Sequence, residues 1–164
     1  MKFISHRGNQ HGSDPKKENK PAYIDAALNY NFDVEVDVWY LNDKWWLGHD
    51  EAQYKTTFRW LFQRHSKLWV HCKNLESLHK LTRRDKKNIW NGFLNYFWHQ
   101  KDDFTLTSKG FIWTFPRRKL TNNSVCVCPE KFTGPKKDLK NCYGVCSDTP
   151  DYWRHYEPKA SSIL

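Results

Sequence analysis

The decapeptide FDVEVDVWYL, residues 32–41, alternates in polarity and is rich in Val, which reads as a β-strand. Residues two apart on a strand share a face, so Glu35 and Asp37 project together while Val34, Val36 and Val38 face the other way. Two carboxylates on one face of a buried strand repel unless something neutralises them. A divalent cation with hard oxygen ligands does so. A solvent-facing strand with alternating charge accounts for the same pattern, and this motif alone does not separate the two.

The flanking segments favour a chain that alternates strands with helices. KFIS reads as a first strand, AYIDAALNY as a helix with Pro21 at its start, and LNDKWWLGHD as a turn with a return strand. TTFRWLFQRHS has the spacing of a helix capped by Thr56 or Thr57, LWVHCK of a strand, and NLESLHKLTRRD of a helix capped by Asn74. The second half is strand-dense: FLNYFWHQ, FTLTSKGFIWTF, SVCVCPE and YGVCSD, with TSKG as a hairpin turn. A last helix is expected at TPDYWRHYE. Strands alternating with helices in the first half imply βα units and parallel pairing over a single domain, residues 1–164.

Composition limits the function classes. Nine Trp, eight Tyr and ten Phe in 164 residues are too many for a disordered chain. The formal net charge of +9 suits an anionic partner, yet Lys and Arg are scattered apart from short clusters at TRRDKK and GPKKDLK. The aromatics fall in strand-like runs and are not interleaved with the basic residues, so no nucleic-acid partner is expected. No apolar run approaches the ~20 residues of a membrane span. The start MKFISHRG has no apolar signal region, so a cytoplasmic protein is expected. The five Cys have no zinc spacing and read as small, reduced core residues.

Chemistry-bearing residues gather at strand ends. His6 and Arg7 follow the first strand, Glu35 and Asp37 lie in the second, and His49 and Asp50 follow the return strand. A lone His is usually a satisfied surface or core residue. Two imidazoles, a guanidinium and a carboxylate pair together suit metal-assisted phosphodiester hydrolysis. A metal polarises phosphoryl oxygens, Arg offsets the developing charge, and two His serve as base and acid. Among the other candidates, His99 with Asp102 and Asp103 reads first as loop polarity, with a place on the rim as the functional alternative. Trp113 in FIWTFP reads first as core, with stacking on substrate as the functional alternative.

Four ordered motifs carry a family resemblance: ISHRG at residues 4–8, EN at Glu18-Asn19, EVD at Glu35 to Asp37, and GHDE at Gly48 to Glu51. Over residues 3–57, and more weakly through VHCK and YGVCSDTPD, the chain resembles the glycerophosphodiester phosphodiesterases. The resemblance implies a compact TIM-type (β/α) barrel, with His6 and His49 as the acid/base pair. It implies that Arg7 and Lys73 hold the substrate phosphate, and that Glu35 and Asp37 bind one Ca²⁺ or Mg²⁺. Glu18 and Asn19 would shape the rim, with Asp50 nearby. The implied partner is a small-molecule phosphodiester, cleaved to glycerol 3-phosphate and an alcohol.

Two departures stand out. The family has a Glu on its third strand where VHCK carries His71, so the third metal ligand becomes an imidazole, which suits Mn²⁺ or Zn²⁺ better than Ca²⁺. A full barrel of this type takes ~250 residues, so several C-terminal helices must be short or missing. An open apolar edge would then invite a homodimer. The alternative function is a catalytically weak or inactive protein that binds phosphodiesters or lipid headgroups through Arg7 and Lys73.

Overall fold

The computed structural model describes residues 1–83 and 92–156. The strands are β1 (Lys2–His6), β2 (Asp33–Leu41), β3 (Lys44–Leu47), β4 (Tyr54–Thr56), β5 (Leu68–Cys72), β6 (Asn95–Trp98), β7 (Phe104–Leu106), β8 (Ile112–Thr114), β9 (Ser124–Val127) and β10 (Gly144–Ser147). The helices are α1 (Pro21–Asn29), α2 (Phe58–Gln63), α3 (Leu75–Thr82), α4 (Lys136–Lys140) and α5 (Pro150–Arg154). Arg84 and Asp85, the expected end of the third helix, and the rest of TRRDKK beyond Arg83 lie outside the described residues.

All ten strands join one mixed sheet. Its parallel part runs β6-β5-β2-β1-β10-β9-β8, with β3–β4 and β7 attached as antiparallel arms. β2 is long enough to serve three neighbours: residues 33–35 pair with β1, 34–38 with β5 and 38–41 with β3.

This corrects the expected TIM-type barrel. That fold needs eight parallel strands, each followed by a helix, closed on themselves. Here the sheet is mixed, and among the described residues no ladder joins β6 to β8. The gap between them is bridged by the β7–β8 hairpin, where Ser108 N–H donates to the Tyr96 carbonyl at 2.8 Å and Ser108 Oγ accepts from Tyr96 N–H at 3.0 Å. The sheet is therefore curled but incompletely closed. Chain length is the physical reason: the links from β6 to β7 and from β8 to β9 are too short to carry a crossover helix.

Strand alternation sorts the side chains into layers. Val34, Val36, Val38, Leu68, Val70 and Cys72 pack with Ile24, Ala27, Leu61 and Leu81 in a core beneath α1, α2 and α3. The opposite, concave face buries Ile4, Trp69, Phe97, Trp113, Val125 and Cys146. A third cluster, including Val145, Leu139 and Trp153, seats the C-terminal helices. Local signals set the helix starts. Thr57 accepts the Trp60 N–H at 3.1 Å, and Asn74 accepts the N–H of Ser77 and of Tyr40, tying α3 to the end of β2.

Candidate functional site

The C-terminal ends of β1, β2 and β5 converge on the concave face. In register, His6 lies beside Glu35, and Asp37 beside His71. Three strands thus deliver six polar side chains to one place: His6, Arg7, Glu35, Asp37, His71 and Lys73. The return strand β3 ends at Leu47, and Gly48 turns the chain to present His49. Its φ of +148° favours glycine, and a Cβ there would collide with the Glu51 carbonyl. The Gly48 carbonyl accepts from Trp39 Nε1 at 2.7 Å, fixing the turn to β2.

Asp37 is fully buried and is the electrostatic hub. Its carboxylate faces Arg7 Nε at 3.1 Å, His71 Nδ1 at 3.0 Å, Lys73 Nζ at 3.5 Å and the donating amide of Asn19 at 2.9 Å. Burial alone would raise its pKa; His71, Arg7 and Lys73 more than reverse this and hold it well below the usual carboxylate range. Arg7 also reaches Glu18 at 3.0 Å, so the guanidinium is gripped from two sides.

Arg7 and Asn19 both have left-handed backbones, with φ of 55° and 62°. For arginine this conformation costs about 1–3 kcal/mol and persists only where the surroundings enforce it. Here they do: Arg7 N–H donates to the Glu35 carbonyl, and Asn19 N–H to the Arg7 carbonyl, each at 3.0 Å. The strain turns the guanidinium from the strand end towards Asp37.

The two predicted acid/base imidazoles are held differently. His6 Nδ1 bonds Asp148 Oδ1 at 2.8 Å, while its Nε2 lies 3.9 Å from Glu35. Burial pulls the imidazole pKa down, but Asp148 and Glu35 outweigh it, so His6 titrates above the ordinary His value. With Nδ1–H committed to Asp148, Nε2 is the nitrogen available to the cavity. His49 is more open; its Nδ1 meets Asp50 at 2.7 Å, and the Asp50 side chain is 92% exposed.

His71 sits between acceptors on both sides. Nε2 faces the His99 carbonyl at 3.0 Å, and Nδ1 faces Asp37 at 3.0 Å and Glu35 at 3.6 Å. Neither carbonyl nor carboxylate donates, so without another cation both ring nitrogens carry protons. Burial opposes that charge, yet the two carboxylates lift the pKa to about 9. The alternative is a metal at Nδ1 with Nε2–H on the carbonyl, an arrangement typical of metal-ligating His. Ligand atoms of Glu35, Asp37 and His71 lie within 4.8 Å of one another. Glu35 Oε2 is buried with no hydrogen-bond partner, a carboxylate oxygen left for a cation. These residues fit a divalent ion.

His6, Arg7, Glu35, His49, His71, Lys73 and Trp113 line a cavity of about 460 Å³. Asp37 lies behind them. Glu18 and Asp50 line a smaller adjoining cavity of about 270 Å³ that shares His6, Arg7 and His49. All the site residues read from the sequence therefore fall in one region. His99, in the loop after β6, lines the cavity and braces His71 through its carbonyl. Burial and the nearby His71 charge lower its pKa. Trp113 packs in the concave core and also forms part of the cavity wall.

Four further side chains contribute to the site. Asp148, legible only as a polar strand end, is the partner of His6. Asn9 is fully buried, and its amide donates to Glu18 at 2.9 Å and to Asp148 at 2.8 Å, linking the anchors of Arg7 and His6. Phe115 and Lys131 also line the large cavity. Two of the four had a sequence signal: Phe115 its alternation with Phe111 and Trp113, and Asp148 its place at the end of a strand-like run.

Arg7 and Lys73 can hold an anion between two imidazoles, beside a carboxylate pair able to take a divalent ion. No protein-family model, curated protein or solved structure matches the chain.

Proposed function

We propose that the chain is a metal-dependent phosphodiester hydrolase acting on glycerophosphodiesters. The observation that carries this reading is the paired setting of His6 and His49 around Arg7, over the Glu35–Asp37–His71 cluster. Arg7 binds and orients the phosphate, with Lys73 adding charge. His6, oriented by Asp148, takes a proton at Nε2 from the neighbouring glycerol hydroxyl, whose oxygen attacks phosphorus. As the P–O bond to the alcohol breaks, His49 gives that oxygen a proton. Water then opens the cyclic phosphate with the two roles reversed, giving glycerol 3-phosphate.

Glu35, Asp37 and His71 would hold the ion, and a bound divalent cation would supply charge to polarise the phosphoryl oxygens. The mixed oxygen and nitrogen set favours Mn²⁺ or Zn²⁺ over Ca²⁺ or Mg²⁺. The partner is a small-molecule diester in the cytoplasm. No helix among the described residues is long and apolar enough to cross a membrane. A homodimer through the exposed Phe104 and Leu106 of β7 belongs to the same reading.

The test is hydrolysis of sn-glycero-3-phosphoethanol by metal-stripped protein, with Ca²⁺, Mg²⁺, Mn²⁺ or Zn²⁺ restored singly. Release of glycerol 3-phosphate should return with one ion and fall about 10²–10⁴-fold in His49→Ala. Turnover unaffected by that variant would defeat the acid/base assignment. A second reading, diester binding without turnover, is favoured by one observation: Arg7, His71, Lys73 and Asn19 already surround Asp37. Calorimetric binding of the same diester with no product under any ion would establish it.

A further inference from the structure

The site consists of two cavities that meet at His6, Arg7 and His49. A phosphodiester likewise has two arms that meet at one phosphate. The smaller cavity is polar, with Ser13, Glu18, Asn19, Gln53 and Asp148 in its wall, and offers hydroxyl groups many partners. The larger cavity differs beyond its charged side. Its far wall is apolar and aromatic, formed by Trp113, Phe115, Pro116 and Val127 with the His99 ring.

Phe115 is the residue here that packing does not explain. It is 42% exposed, whereas Trp113, two residues earlier, is 4% exposed. Its position is nevertheless fixed. Phe115 N–H donates to the Asp103 carbonyl at 2.9 Å, and its own carbonyl accepts from Arg118 N–H at 3.3 Å. Arg118 returns to the Asp103 carboxylate at 2.8 Å, and Arg117 turns the chain with a left-handed φ of 70°. The phenyl ring stands 5.9 Å from the His99 ring, centroid to centroid. A half-exposed aromatic on a pinned backbone is a preorganised surface for a planar group.

Charge narrows the choice. Among the described residues lining this cavity only Glu35 carries a carboxylate, and it faces His6 and His71. Arg7, Lys73 and the exposed Lys131 are all cationic. A quaternary ammonium would find aromatic faces but a repulsive field. An uncharged ring would find the faces without that penalty.

We propose that the Phe115 wall is the subsite for the diester's second alcohol, and that it selects a planar, uncharged group, with the polyol arm in the smaller cavity. This rests on the hydrolase reading above. The test compares the benzyl, ethyl and choline esters of sn-glycerol 3-phosphate, three unactivated alkyl leaving groups, with metal-loaded protein. The benzyl ester should exceed the ethyl ester by about tenfold in kcat/KM, with choline last. In Phe115→Ala the benzyl-to-ethyl ratio should fall towards one, and Phe115→Trp should keep it. A choline ester turned over as well as the benzyl ester, or a benzyl preference that survives Phe115→Ala, overturns the proposal. If none of the three is hydrolysed, the hydrolase reading fails separately. Calorimetric titration then decides the subsite: about tenfold tighter benzyl binding supports it, while equal affinities, or no benzyl binding, overturn it.

Discussion

The two walls of the large cavity are built on opposite terms. The wall from β1, β2 and β5 is a dense charged network centred on Asp37, with Glu35 Oε2 left without a hydrogen-bond partner. The wall from the loop after β8 holds its backbone firmly but leaves an aromatic face unsatisfied. Networks of the first kind make position depend on every member, because a buried charge stripped of its partner is costly. Surfaces of the second kind can change without disturbing the fold. The first wall is suited to fixed chemistry, the second to choice among substrates.

The largest effect should come from breaking the hub. Asp37→Ala leaves Arg7, His71 and Lys73 facing one another without their shared counter-charge. Loss of about 3–5 kcal/mol is expected, read as a lower urea midpoint. A midpoint within error of the parent would mean that the network is not coupled as its geometry implies. Asn9→Ala should follow at about 1–3 kcal/mol, because Glu18 and Asp148 each lose a buried donor.

How far the sequence foretold these two walls follows from range. The strand β2 and the shared face of Glu35 and Asp37 were legible because alternation is a local property, but alternation alone suits a buried and a solvent-facing carboxylate pair equally. The parallel pairing of β1, β2 and β5 followed from their helical spacers. Closure was not legible, because it depends on whether β6 meets β8, residues whose pairing no local pattern encodes; the barrel expectation failed there. The His6–Asp148 contact spans 142 positions in sequence and had no local signal. His99 was legible as a loop residue with the rim as an alternative, because a polar residue in a loop carries no mark of the cavity it faces.

The next effect is on pH dependence. Asp148 is acidified: burial raises its pKa, but the hydrogen bond and charge of His6 more than offset that. Its share of stability is present above the ordinary carboxylate pKa and is lost as pH falls through the lower folded value. His6 is raised, so its share is full below about 6.5 and is lost as pH rises through the higher folded value. Asp148→Asn should flatten both slopes in urea midpoints measured against pH. If His6 acts as base, the same change should also move the acid limb of kcat/KM to lower pH and reduce the plateau by about 10–100-fold. An unmoved acid limb would assign that limb to another group.

The smallest effect tests the other wall. Phe115→Ala removes a ring that is half in solvent and whose backbone bonds to Asp103 and Arg118 do not need the side chain. Its stability change should stay within about 0.5 kcal/mol. Trp113→Ala, one alternation inward and 4% exposed, should cost about 3–5 kcal/mol by leaving a cavity among Trp69, Phe97 and Val125. Two aromatics two residues apart would then differ several-fold in what they do for the fold. If Phe115→Ala proved as costly as Trp113→Ala, the ring would be a packing element, and the contrast between a fixed wall and an adaptable one would not hold.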